Sequence, residues 1–208
     1  MLWVVLANSE LKKEFLAHGI SDSVKIEWIG TMEEFSKHSN ADAFFDLLFQ
    51  NSEERLKHLS QLLPKPVIIN SVVTGETGFP FIHINAWNTF LQREMIEASC
   101  SDEKYRKIAE KIFSEMNRNT IWVTGITGFI SPRVVVAIIN EAYYTLGENV
   151  STKEEIDTAM KLGTNYPYGP FEWADKIGLK NIYDLLNILS VTEKRYQPSG
   201  LLQKEVFI

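Results

Sequence analysis

The chain has 208 residues, 45% of them apolar and 23% charged, with a formal net charge of −6. These are globular proportions, enough for one large core or two small ones, and they exclude a disordered chain. Acid excess without a basic stripe excludes a surface that tracks phosphates, so no nucleic-acid partner is expected. The single cysteine, Cys100, excludes an internal disulfide framework and fits a reducing compartment. The start, M-L-W-V-V-L-A-N-S-E, has no basic segment and too short an apolar run for a signal peptide, and no run reaches membrane-spanning length. A cytoplasmic protein without a membrane partner is expected. No histidine pair, and no histidine–cysteine pair, has metal-ligand spacing, so no metal site is expected either.

Leu2–Ala7 is a short apolar run and reads as a buried strand. Ser9 can cap a following helix over Glu10–His18, which Gly19 ends. Lys25–Ile29 is a second strand, and Thr31 caps a short acidic helix, Met32–His38. Ala41–Phe49 reads as a strand from its length and aromatics. Ser52–Leu63 is an amphipathic helix with Leu56, Leu59 and Leu63 at helical spacing. Val67–Val73 and Pro80–Trp87 read as strands, Ser101–Met116 as a helix, and Thr120–Thr124 as a closing strand. Strands alternating with helices predict a mostly parallel α/β sheet.

Beyond Gly128 no strand signal returns. Ser131-Pro132 opens a long apolar helix, Arg133–Leu146, whose Val134, Val135, Val136, Ile138 and Ile139 suit a core or a seam between two copies. Ser151 to Glu154 is a capping box for Thr152–Leu162, with Gly163 as the stop. Tyr166–Asp175, read Y-P-Y-G-P-F-E-W-A-D, is a proline-locked turn that launches a helix ended by Gly178. Asn181–Leu189 is a last amphipathic helix. The expected architecture is α/β: a shortened Rossmann-like, mostly parallel sheet over 1–126, then an all-helical domain over 127–208.

Several blocks occur in one order: G-F-I-S-P-R over 128–133, N-E-A from 140, S-T-K-E-E-I-D over 151–157, A-M-K-L-G over 159–163, the 166–175 motif, and R-Y-Q-P-S-G-L-L over 195–202. Together they resemble the C-terminal helical domain of the 3-hydroxyacyl-CoA dehydrogenase family. The resemblance implies a homodimer formed through these helices and a wall of an acyl-CoA site. In the first part the likeness is thinner. A-D-A-F-F-D over 41–46 looks like the family's A-D-L-V-I-E strand, Asn70-Ser71 looks like its S-N-T-S-S turn, and H-I-N over 83–85 looks like its H-F-F-N segment.

The family oxidises 3-hydroxyacyl-CoA to 3-ketoacyl-CoA with NAD, using a histidine oriented by a glutamate. The matching catalytic residues here are His83 with Glu94 or Glu97, and the matching substrate-binding residues are Asn70, Ser71 and Asn85. The spacing does not superpose: aligning Asn85 puts Glu94 on the family's glutamate but Ile82 on its histidine, and aligning His83 puts Met95 on the glutamate. Pro132 stands where the family has an asparagine.

A dinucleotide needs glycines after the first strand, to make the turn tight and let the backbone approach the pyrophosphate. Here Leu2–Ala7 runs into N-S-E-L-K-K, with no glycine before Gly19, and Glu10 would repel a phosphate at the helix start. Glu27 matches the ribose-binding acid by count alone. The K-I-E-W-I-G segment resembles the stretch before the family's A-D-L-V-I-E strand, which would leave the family's second strand missing. No cofactor-binding residue is assigned. No cofactor is expected, or NAD if the family activity is retained. The expected function is a dimeric acyl-CoA-binding or assembly protein with lost or much weakened catalysis. The alternative is an active, reduced dehydrogenase with His83 as base.

Overall fold

The structure is a computed structural model that describes all residues except Glu76 and Ile126. It divides into two compact units, 1–129 and 130–208. The boundary expected after residue 126 falls on a residue outside those described.

The first unit is built on a seven-stranded sheet in the order β2-β1-β3-β4-β5-β6-β7. The strands are β1 (Leu2–Leu6), β2 (Lys25–Ile29), β3 (Ala43–Asp46), β4 (Val67–Asn70), β5 (Ile82–Ile84), β6 (Met95–Ser99) and β7 (Asn119–Trp122). β1 to β5 pair in parallel, β6 runs antiparallel to β5, and β7 is parallel to β6. Buried on both faces, β1, β3 and β4 need the continuous apolar runs that the sequence supplies. One face packs Trp3, Val5, Phe45 and Ile68 against α1 (Ser9–Phe15) and α3 (Glu103–Glu115). The other packs Val4, Phe44 and Ile69 around Phe35 and Leu59, the latter on α2 (Glu53–Ser60).

Several predicted elements shift. Asn8, not Ser9, caps α1, its side chain accepting from Leu11 N at 2.9 Å. Met32–Lys37 is a 3-10 helix rather than an α-helix. Lys25–Ile29 lies beside β1 in parallel register, where a mononucleotide-binding half keeps its second strand. The expectation that this strand is missing is therefore wrong. Among the described residues, no strand lies outside β2 on that side.

The second unit contains α4 (Ser131–Gly147), α5 (Lys153–Thr164), α6 (Pro170–Ile177), α7 (Leu179–Ser190) and α8 (Gly200–Val206). Asn140 of α4 is buried and bonds the chain at both ends of 197–199, donating to Gln197 O and accepting from Ser199 N, each at 2.8 Å. α5 runs through Gly163 and stops at Asn165, which takes the left-handed conformation with φ 56°. Asparagine tolerates that region because its short polar side chain bonds locally.

The 166–175 motif is held by α5. The Asp157 carboxylate accepts from Phe171 N at 2.8 Å and Glu172 N at 3.1 Å, capping α6 from another helix. Gly169 lies so close that a Cβ there would overlap the Asp157 carboxyl group. Glu172 in turn accepts from Gly169 N at 3.0 Å and pairs with Lys161. Tyr166 and Tyr168 pack their rings on Trp173.

Gly169→Ala should cost about 1–3 kcal/mol in urea unfolding, as overpacking does, and Asp157→Ala about 1 kcal/mol from the lost cap. The double variant should be less unstable than the sum, because removing the carboxyl group vacates the space the new Cβ needs. Strict additivity would rule out the overlap.

Candidate functional site

The carboxyl ends of β4 and β5 meet the start of an antiparallel neighbour, and the pleat sorts the side chains there. Ile82 and Ile84 point into the α1/α3 face. His83, between them, turns to the opposite face, paired with Ile69 of β4 on one side and Ser99 of β6 on the other. Asn85, two residues on, shares that face.

His83 Nδ1 lies 2.7 Å from Ser71 Oγ, and both residues are buried. Burial alone holds the His83 imidazole down at about 4, so it is neutral near pH 7. Asn85 Nδ2 donates to Glu97 Oε2 at 3.3 Å, and Asn85 Oδ1 accepts from Trp87 N at 3.4 Å. Two polar pairs thus stand side by side on one face, Ser71–His83 and Asn85–Glu97.

This differs from the expected pairing of His83 with Glu94 or Glu97. Glu94 is exposed and precedes β6. It lies five residues before Ser99, the residue opposite His83, or about 16 Å along a strand. Glu97 is buried on the correct face, but its carboxylate bonds Asn85, and burial is the sole influence on the His83 pKa. Asn70, expected to bind substrate, is taken up by the backbone. Its Nδ2 donates to Leu47 O at 3.2 Å and Ala86 O at 3.3 Å, and its Oδ1 accepts from Ala86 N at 3.0 Å. It stitches the loops after β3, β4 and β5 together.

Space opens on both sides of His83. A recess of about 20 Å³, room for one water, is lined by Ser71, Thr74, Gly75, His83, Ser99 and Phe129, among others. A cavity of about 440 Å³ lies against Phe79, Phe81, His83, Ser99, Ser101 and Asp102, within the size range of small-molecule sites. Ser99 lines both, and sequence reading passed it over because M-I-E-A-S-C was not recognised as a strand. The signal was present as alternation: Ile96, Ala98 and Cys100 enter the core, so Glu97 and Ser99 must face the other way. The Cys100 thiol is buried, and burial pushes its pKa up.

The residues at the dinucleotide position of a Rossmann unit do not fit NAD. The turn after β1 has no glycine, and Asn8 already occupies the Leu11 N–H that a phosphate would use. Glu10 accepts from Asn88 Nδ2 at 3.0 Å, and Glu14 from Thr89 N at 2.6 Å, so α1 instead anchors the loop after β5. Glu27 pairs with Val4, two residues short of the β2 carboxyl end, so it is not placed as a ribose-binding acid. At the end of β3, next to β1, Asp46 is fully buried and bonded by both Arg55 Nε at 2.7 Å and Arg55 Nη2 at 2.6 Å. Burial raises the Asp46 pKa, and the guanidinium opposes that rise.

In an NMR titration, one of the four histidines should titrate near 4. The sign for stability follows: between pH 6.5 and about 4 the unfolded chain binds a proton that native His83 refuses. Stability contributed by this site is complete above pH 6.5 and falls by about 3 kcal/mol on the way to pH 4. His83→Gln should flatten that part of the pH–stability curve, and an unchanged slope would contradict the assignment.

Residues 128–207 match the sequence model for the 3-hydroxyacyl-CoA dehydrogenase C-terminal domain. The chain is 32% identical over 201 residues to the probable 3-hydroxybutyryl-CoA dehydrogenase of Deinococcus radiodurans, covering 88% of this chain and 71% of that one. Against the probable 3-hydroxybutyryl-CoA dehydrogenase of Bacillus subtilis the identity is 28% over 202 residues, covering 87% and 69%. It matches the 3-hydroxyadipyl-CoA dehydrogenase of Escherichia coli at 29% identity, spanning only 31% of that protein. In fold it resembles the crystal structure of (S)-3-hydroxybutyryl-CoA dehydrogenase from Ralstonia eutropha, with a TM-score of 0.77 at 19% identity, covering 99% of this chain and 93% of that one. On the Deinococcus match, which spans both units, and on the domain match in the second, this chain belongs to the 3-hydroxyacyl-CoA dehydrogenase family.

Proposed function

We propose that the chain binds a CoA thioester in the cavity beside His83 and pairs with a second copy through its helical unit, with hydride transfer to NAD lost or much weakened. The observation that carries this reading is the turn after β1, which has no glycine and in which Asn8 already takes the Leu11 N–H. Ligands of open α/β sheets lie outside the carboxyl ends of the strands, where the strand order reverses. A pyrophosphate there would meet a turn whose backbone lacks the glycines that allow close approach. The short α1 adds a second obstacle, since Glu10 places a negative charge in its first turn.

The thioester reading rests on family membership and on the cavity of about 440 Å³ against His83. The pairing reading is supported by α4 and α5. α4 exposes Val134 at 54% and half-buries Ile138, while Val135, Val136 and Ile139 are buried. Between the two helices runs an apolar groove of about 420 Å³ with Ile138, Ala142, Val150, Ile156, Ala159 and Met160 in its wall. Exposed apolar grooves of this size mark association surfaces.

Three measurements test the reading. Titration with NADH, followed by its fluorescence, should show no saturable binding up to about 1 mM, a free energy of only ~4 kcal/mol. Butyryl-CoA should bind saturably by calorimetry. Light scattering should give twice the chain mass at micromolar concentration, and Ala159→Arg should shift it toward the monomer. Saturable NADH binding with turnover of acetoacetyl-CoA would establish the active dehydrogenase with His83 as base. A strict monomer would remove the pairing.

A further inference from the structure

The Ser71–His83 contact has the geometry of a nucleophile and its base. Activated serines sit within about 2.6–3.2 Å of a histidine nitrogen, and Ser71 Oγ is 2.7 Å from Nδ1. Both groups are held by regular structure. Ser71 N donates to Ile84 O at 3.2 Å, and the preceding Asn70 side chain is locked to Leu47 and Ala86. The imidazole is fixed by its place in the middle of β5. Both side chains line the small recess, and His83 also lines the large cavity. Among the described residues, no acceptor takes the backbone N–H groups of Val72, Val73 or Thr74. Of these, Thr74 lines the recess that holds Ser71 and His83, which makes its N–H the candidate oxyanion donor.

We propose that Ser71 is an acyl-accepting nucleophile, with His83, which lines both the recess and the cavity, as its base, and that the pair hydrolyses short acyl-CoA thioesters. The inference rests on the thioester-binding reading above and needs no redox partner. Ser71 Oγ bonds to the thioester carbonyl carbon as its proton passes to His83, and the C–S bond then breaks. His83 returns the proton to the departing CoA sulfur. Water attacks the acyl-serine in the second half, losing its proton to His83, which passes it to Ser71 Oγ. The sum is thioester plus water giving carboxylic acid plus thiol, with no oxidation.

The imidazole stays neutral at working pH, as a base must. Without a carboxylate to favour the imidazolium it is a weak base, so turnover should be slow and covalent labelling is the sharper readout.

Full-length protein is treated with a fluorophosphonate, and the adduct is mapped by peptide mass spectrometry. In parallel, butyryl-CoA binding is measured by calorimetry and CoA release by a thiol reagent. The expected result is a single adduct on Ser71, formed at least tenfold more slowly in His83→Ala. CoA release should fall at least tenfold in Ser71→Ala, with a melting temperature close to the parent's. The wild-type label stands independently of whether either variant folds. Saturable butyryl-CoA binding with no adduct and no CoA release overturns the hydrolase and leaves the binding reading intact. An adduct on Ser99 or Ser101 in place of Ser71 overturns the assignment of the nucleophile. Labelling of Ser71 without butyryl-CoA binding keeps the nucleophile and overturns the substrate class.

Discussion

The first unit is constrained above all by the desolvation of Asp46. Five parallel strands bring their carboxyl ends to one edge of the sheet, and near its middle stands a carboxylate with no exposed surface. A charge so placed persists only if a partner supplies matched donors, and a guanidinium fork is the side chain whose geometry does that. Arg55 must therefore reach the end of β3 from the first turn of α2, and Ser52, which caps that helix through Arg55 N, sets where the arginine starts. The same edge is the ligand edge of a doubly wound sheet. The ion pair at that edge ties α2 to the end of β3.

The polar accounting continues along that edge. Asn70 satisfies carbonyls and an amide from two neighbouring loops, which an apolar residue could not do and a charged one could not survive. The Asn70 amide is bonded to backbone, while Ser71, His83 and Ser99 line the recess. Strand alternation thus separates a row bonded to backbone from the row that lines the recess, only one residue away.

How much of this was legible in the sequence depended on what determined each feature. Strands buried on both faces, such as β1 and β4, announce themselves by apolar runs; the capping box of α5, read at Ser151 and Glu154, lies one residue on, at Thr152 and Glu155. β6 escaped because its residues alternate instead of forming an apolar run and include a glutamate that local reading assigns to chemistry. The true stop of α5 was missed because Gly163 is the commoner signal and Asn165 does the work. The partner of His83 was the largest gap. Sequence spacing brings His83 toward Glu94 or Glu97 by analogy with a family pattern, whereas the contact with Ser71 comes from pairing between β4 and β5, twelve residues apart. Position in a sheet is set by register, and register is not written in linear spacing.

The electrostatics of His83 separate the two chemistries that such a site could run. A histidine that accepts a proton while hydride leaves must become a cation beside a cofactor that is itself losing positive charge, and an adjacent carboxylate makes that state tolerable. His83 Nδ1 instead meets a neutral hydroxyl, and burial disfavours the cation outright. Glu97 accepts from Asn85, and the turn after β1 has no glycine. A proton passed across the 2.7 Å Ser71–His83 contact and handed on to a leaving group asks only for a transient imidazolium. No lasting charge need form in a site too dry to hold one.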